Sequence, residues 1–333
     1  MTFVDVLRRA WDAGDAVLPV DPRLPAAAAR ALVAAMRPGD PVEDGDALVV
    51  ATSGTTGEPK GVVLTHDAIE ASARATSARL RVDPARDVWL SYLPLAHIGG
   101  LSVVTRALVT GTPLTFDLDA GATLVSLVPT QLRRVDPSAF RVVVLGGAAP
   151  PDQRPTNCVV TYGMTETGSG VVYDGVPLDG VEVRVVGGEL HVRGPMLLRA
   201  HRDGRDPKDA DGWLPTGDAG RIDGDGRVHV DGRIADVIVT GGEKVWPDPV
   251  ERVLRRLPGI ADVAVAGRAD AEWGERVVAW IVPSGSPPSL GAVRDAVKTE
   301  LAPWCAPKEL VIVDDLPRTA LGKVRRGELR SRG

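Results

Sequence analysis

Residues 51 to 61 read Ala-Thr-Ser-Gly-Thr-Thr-Gly-Glu-Pro-Lys-Gly. Gly54, Gly57 and Gly61 let backbone N–H groups turn toward an anion. Ser53, Thr55 and Thr56 add hydroxyl donors, and Lys60 adds a point charge. This is phosphate-handling chemistry. It is not a Walker A loop, which needs glycine directly before the lysine and a hydroxyl directly after it. Pro59 and Gly61 stand at those places. An ordinary polar loop is the bland alternative, and a string this rich argues against it.

Such a loop must hang from regular structure. Asp46-Ala-Leu-Val-Val-Ala-Thr is an apolar run of strand length, and Val62-Val-Leu-Thr leads to His66 and a helical pattern. Upstream, residues 4 to 12 are helical in pattern, Ala16-Val-Leu-Pro-Val predicts a strand, and Ala26 to Met36 predicts a helix. Downstream, Val88 to Leu93, Pro113 to Phe116, Leu124 to Val128 and Arg141 to Leu145 are strand-like, and Gly99 to Val109 is a buried helix. Continuous apolar strands alternating with helices argue for a parallel sheet covered on both faces. From about 181 the pattern becomes period 2, as in half-buried antiparallel strands, with Gly187-Gly188 and Asp223-Gly-Asp-Gly as turns. The last hundred residues predict a separate α+β unit: strands at 237–240, 260–266 and 277–282, and helices at 249–257 and 290–301. The boundary falls near Gly232 to Asp236. The expectation is an α/β protein with a large domain, 1–234, of mixed or parallel sheets flanked by helices, and a small α+β domain, 235–333.

Composition excludes several classes. A net charge of −5 gives no reason to expect nucleic acid or an anionic membrane. Two cysteines far apart, Cys158 and Cys305, fit a reduced cytoplasmic setting better than a disulfide framework. No apolar stretch has membrane-spanning length. The expected partners are small molecules, and the chain is expected to be a monomer or homodimer.

Read together, the punctuated segments resemble the adenylate-forming superfamily, which includes acyl- and aryl-CoA ligases, peptide-synthetase adenylation domains and luciferases. Ser53 to Gly61 resembles its phosphate loop. Thr161-Tyr-Gly-Met-Thr-Glu-Thr, Trp213-Leu-Pro-Thr-Gly-Asp218, Asp231 to Lys244 and Leu316 to Lys323 resemble its second core, ribose, hinge and lysine motifs, in family order. The resemblance implies ATP, Mg²⁺ and coenzyme A, and a mobile C-terminal domain. Ser53, Gly54, Thr55, Thr56, Gly57 and Lys60 would hold phosphates. Glu166 would hold Mg²⁺, with Thr165 beside it at the reacting centre and Thr55 as a second metal contact. Tyr162, Gly163, Gly146, Gly147 and Ala148 would lie against the adenine and acyl groups. Asp218 would accept from the ribose hydroxyls and Arg233 would assist. Lys323 would bridge the carboxylate and the α-phosphate. Gly241 and Gly242 would line the pantetheine path. Each has a plainer alternative: a tail lysine, a helix-end Glu, a turn Asp, a surface salt bridge.

Leu93-Pro-Leu-Ala-His-Ile-Gly-Gly-Leu-Ser-Val-Val-Thr-Arg106, with Val128-Pro-Thr-Gln-Leu and Tyr173 to Val181, resembles the o-succinylbenzoate–CoA ligases of menaquinone biosynthesis. That substrate has two carboxylates, and Arg106 would meet the one not activated. His97 would gate or stack near the acyl group, and Gly147 and Thr130 would line its pocket. A helix-end salt bridge is the alternative for Arg106. The competing functions are a ligase for another aryl or cyclic acid, a peptide-synthetase adenylation domain, and a nucleotide-binding module without catalysis. Three departures stand out: a short segment before the phosphate loop, so that the chain starts inside the domain, Ala235 at the hinge, and Leu321 before Gly322-Lys323.

Overall fold

The computed structural model describes residues 2–53, 59–132, 134–151, 153–318 and 324–330, with the backbone alone at Ser53 and Pro59. It divides into two compact units. One comprises Met1–Arg184, His191–Pro215 and Gly224–Val228; the other comprises Val185–Leu190, Thr216–Asp223 and His229–Gly333.

The first unit is built on a seven-stranded sheet. Its order is Leu114–Thr115, Trp89–Leu90, Leu124–Leu127, Val142–Leu145, Cys158–Met164, Ser169–Tyr173, Val176–Pro177. The first five strands run parallel and the last two are antiparallel additions. The parallel strands are continuous apolar runs because both faces are covered; Leu124–Leu127 is buried at every position. The helix Ile98–Thr110 is buried from Gly100 to Ala107 and stops at Gly111, which is left-handed at φ 66°. A second, antiparallel sheet pairs Asp46–Ser53 with Pro59–Thr65, and the latter with Ala200–His201.

One reading is completed here and one is corrected. The phosphate-loop region is a hairpin, since Pro59–Thr65 is a strand paired with Asp46–Ser53; its Pro and Gly residues masked the strand signal. Ala16–Val20 is not a strand: only Val17 makes a bridge, to Leu48, because Pro19 supplies no N–H to extend a ladder.

Strands Glu182–Val186, Glu189–Arg193, Leu214–Ile222 and Val228–Arg233 form a four-stranded sheet, as the period-2 pattern requires. The second unit carries a five-stranded sheet made of Glu243–Val245, Ile238–Thr240, Gly274–Pro283, Ile260–Asp270 and Glu309–Ile312. Alternation splits its residues between two cores. Val263, Val265, Val277, Ala279 and Ile281 face the helices Pro247–Leu254 and Leu290–Glu300. Ala264, Ala266, Val278 and Trp280 face Leu316 and the C-terminal helix Arg326–Arg330 through Leu329.

Candidate active site

In the first unit, three elements converge on the phosphate hairpin. Lys60 pairs with Thr52, one step from the loop. Gly61 is pressed on: a Cβ there would lie 2.6 Å from Met36 Sδ and 2.8 Å from Arg202 Cβ. Strand Ala200–His201 sets His201 opposite Val62, and Leu198 N donates to Glu166 O at 2.8 Å. Glu166 thus sits on the short 3-10 turn Thr165–Thr167, beside the same strand. Thr167 fixes that turn by donating to Ser169 O at 2.6 Å and accepting from Met164 N at 2.9 Å. His201 is 6% exposed and its Nδ1 has no partner among the described residues. Burial pushes its pKa down, opposed by the Glu166 charge and reinforced by Lys60.

The residues expected to line the adenine and acyl groups lie on or after two neighbouring strands, Val142–Leu145 and Cys158–Met164. Gly146 follows the strand Val142–Leu145, and a Cβ on it would lie 2.9 Å from Thr161 Cγ2. Gly147 is left-handed at φ 79°, and Ala148 follows it, exposed. Tyr162 and Gly163 lie on Cys158–Met164, and a Cβ on Gly163 would meet Ser169 O at 2.1 Å. Thr130 is an exposed turn residue after Leu124–Leu127.

Arg106 is the outlier. Its side chain is 2% exposed and its guanidinium lies over the Trp89 ring at 4.9 Å. Nη2 donates to Ser169 Oγ at 3.2 Å, while Nε and Nη1 have no partner among the described residues. Among the described residues no carboxylate pairs with it, so none of them makes a helix-end salt bridge with it. Burial lowers its pKa and the nearby Tyr173 opposes this. His97 stands at the N-terminal end of the helix Ile98–Thr110. Its Nε2 is 3.8 Å from Asp21 Oδ2. Asp21 is buried, and hydrogen bonds from Arg23 hold its pKa down to about 2.

In the second unit, Asp218 is 5% exposed on Leu214–Ile222 and Arg233 ends Val228–Arg233. Arg233 Nε is 2.9 Å from Asp218 Oδ1, and its Nη1 donates to Thr216 O at 2.9 Å. Gly241 and Gly242 form the turn between Ile238–Thr240 and Glu243–Val245 at φ 59° and 85°. A Cβ on Gly241 would lie 2.9 Å from the Trp273 ring. Gly54, Thr55, Thr56, Gly57, Lys323 and the Ser53 side chain lie outside the described residues.

A family model described as AMP-binding enzyme matches residues 20–201, and one described as AMP-binding enzyme C-terminal domain matches residues 249–323. The chain belongs to this family. This AMP-binding enzyme is 40% identical to a probable 2-succinylbenzoate–CoA ligase of Mycobacterium tuberculosis, over 90% of this chain and 87% of that protein. It is 36% identical to an indoleacetate–CoA ligase of Aromatoleum aromaticum, over 85% of this chain and 66% of that one. Among solved structures it is similar to the o-succinylbenzoate CoA synthetase of Bacillus subtilis in complex with its acyl-adenylate intermediate. There the TM-score is 0.80 at 28% identity, covering 99% of this chain and 81% of that one.

An enzyme of this family binds ATP, and Glu166 suits its magnesium ion. No cluster of three His, Cys, Asp or Glu forms among the described residues. A single half-buried carboxylate fits an ion that takes its other ligands from phosphate oxygens and water. Sequence reasoning missed Asp21, Ser169 and His201. Ser169 and His201 fall between the motif segments and Asp21 just follows the run Ala16 to Val20, so only the folded contacts reveal them.

Proposed function

We propose that this chain is an ATP-dependent 2-succinylbenzoate–CoA ligase acting in menaquinone biosynthesis. The observation that carries the reading is the buried guanidinium of Arg106. A desolvated cation without a carboxylate is costly unless an anion joins it. An acid with two carboxylates supplies one for activation and one for Arg106. An acid with a single carboxylate, such as indoleacetate, leaves Arg106 unpaired.

The reaction follows in two steps. A carboxylate oxygen of the acid attacks the α-phosphorus of ATP, and the bond to the bridging oxygen breaks as pyrophosphate leaves. The coenzyme A sulfur, having released its proton to solvent, then attacks the acyl carbon, and AMP leaves with the bond electrons. Two anions meet in the first step, so cations must offset repulsion as charge develops. Lys60 and Lys323 serve there. Asp218 and Arg233 hold the ribose. Glu166 would hold magnesium, whose charge would offset that of the phosphates. His97, backed by Asp21, borders the acyl pocket with Gly147 and Thr130. Gly241 and Gly242 leave room for the pantetheine arm. We place the hinge between 234 and 235, with residues 1–234 and 235–333 as the two domains. The unpaired state of Cys158 and Cys305 suits a cytoplasmic enzyme. No helix among the described residues is long and apolar enough to cross a membrane.

The test is a panel of aryl and cyclic acids with ATP and coenzyme A, read by thioester mass. 2-Succinylbenzoate should lead; equal turnover of simple benzoates sinks the substrate assignment. Lys323→Ala should cost about 3–4 kcal/mol in adenylate formation, in line with loss of an oxyanion donor. It should spare thioester formation from preformed adenylate, and equal loss in both steps removes that role.

A further inference from the structure

Whatever Lys323 does, its neighbours decide where it can do it. Arg318 and Val324 bridge across the segment that carries it. Arg325 N donates to Pro317 O at 2.8 Å. Leu316 and Leu329 sink into the core beside Trp280. These contacts anchor the described residues on either side of Lys323. Arg326 lies three residues after Lys323.

The Arg326 guanidinium reaches four acceptors from three elements. Nη1 donates to Asp236 Oδ2 at 3.1 Å, on the turn Ile234–Asp236 in the hinge-like stretch. Nη2 donates to Asp248 Oδ1 at 2.7 Å and Glu251 Oε1 at 2.8 Å, both on Pro247–Leu254. Nε donates to Val265 O at 3.2 Å, on Ile260–Asp270. Arg330 adds a longer bond to Ala235 O at 3.4 Å. Asp248 and Glu251 already more than neutralise one guanidinium, and Arg255 shares Glu251. Asp236 is therefore not needed for charge balance. What it adds is a tie to the hinge turn, and only a planar fork with several N–H donors spans these directions at once.

We propose that Arg326 is a positioning residue for adenylate formation: through Asp236 it ties the helix Arg326–Arg330, which begins three residues after Lys323, to the hinge turn. The proposal rests on the reading of Lys323 as the activating lysine. The three carboxylates keep Arg326 protonated at every working pH, because their charges outweigh its burial. The tie is thus mechanical and not a pH switch.

The test uses the full chain with ATP, Mg²⁺ and 2-succinylbenzoate, each half-reaction being measured alone. Arg326→Lys keeps the charge and loses the fork. Asp236→Asn keeps Arg326 neutralised by Asp248 and Glu251 and loses only the hinge contact, so it should fold. Both should slow adenylate formation by about tenfold or more, the scale of one charge-assisted hydrogen bond. The KM values for ATP and acid, and thioester formation from preformed adenylate, should stay within about twofold. Combining the two substitutions should be no worse than Arg326→Lys alone, since both break one contact. Equal slowing of both half-reactions would show a merely structural role and overturn the proposal, as would normal adenylate formation in Asp236→Asn. Lys323→Ala separates the two ideas. If it leaves adenylate formation intact, the lysine reading fails and takes this proposal with it. If it abolishes the step while Asp236→Asn does nothing, only the positioning role falls.

Discussion

Arg106 and Arg326 are both arginines taken out of water, and their surroundings are opposite. Arg106 meets an indole face and one hydroxyl, with two nitrogens left over. Arg326 meets three carboxylates and a carbonyl. A buried cation that the chain itself satisfies belongs to the architecture. One that the chain leaves unsatisfied is an argument for a ligand. The two should respond to mutation with opposite signs, and this is how the contrast can be broken.

Arg326→Met should destabilise the fold most, by about 3–5 kcal/mol, because carboxylates are left without their cation. Chemical denaturation of the ligand-free chain checks this, and a loss below about 1 kcal/mol would make the cluster a surface-like pair. Arg106→Leu should do the reverse. Ligand-free stability should hold or rise, since an uncompensated charge is removed. The kcat/KM for 2-succinylbenzoate should fall by about thirty- to a thousandfold, which is roughly 2–4 kcal/mol. A benzoate lacking the second carboxylate should barely notice the change. A drop in melting temperature without any substrate effect would place Arg106 with Arg326 after all.

Ser169→Ala tests how far Arg106 depends on its one hydroxyl partner. Losing that bond should cost about 0.5–1.5 kcal/mol, or about two- to tenfold in kcat/KM, with ATP binding untouched. Unchanged kinetics would show that the indole alone orients the guanidinium. The smallest effect concerns His201, which avoids the difficulty of Arg106 by staying neutral. Its folded pKa lies below the ordinary 6.5 because burial disfavours the imidazolium. The unfolded chain then binds the proton more readily, so stability is full above 6.5 and declines as pH falls below it. His201→Gln should flatten that decline in melting temperature between neutral and mildly acid pH. An unchanged slope would assign the pH dependence to other groups.

How much of this was legible in the sequence depended on range. The helix Ile98–Thr110 and the parallel strands were legible because their apolar periods are local. The motifs around Asp218, Arg233, Glu166 and Gly241-Gly242 could be picked out because their neighbours in the chain carry the signal. The strand Pro59–Thr65 was not, since its ladder depends on a partner and its own propensity is poor. Arg106 was half legible: its apolar context demanded an explanation, yet Trp89 and Ser169 come from strands distant in sequence. Arg326 was invisible, because Asp236, Asp248 and Glu251 lie 75 to 90 positions upstream.

Gly61 has a bearing on how this phosphate loop can change. In a hairpin the pairing can slip by one residue, which would turn Lys60 to the opposite face. Such a slip would bring Lys60 or Val62 to the place where even a methyl group would strike Met36 and Arg202. The glycine therefore acts as a ratchet tooth for the hairpin. For engineering, Gly61 is the position on this hairpin to leave untouched.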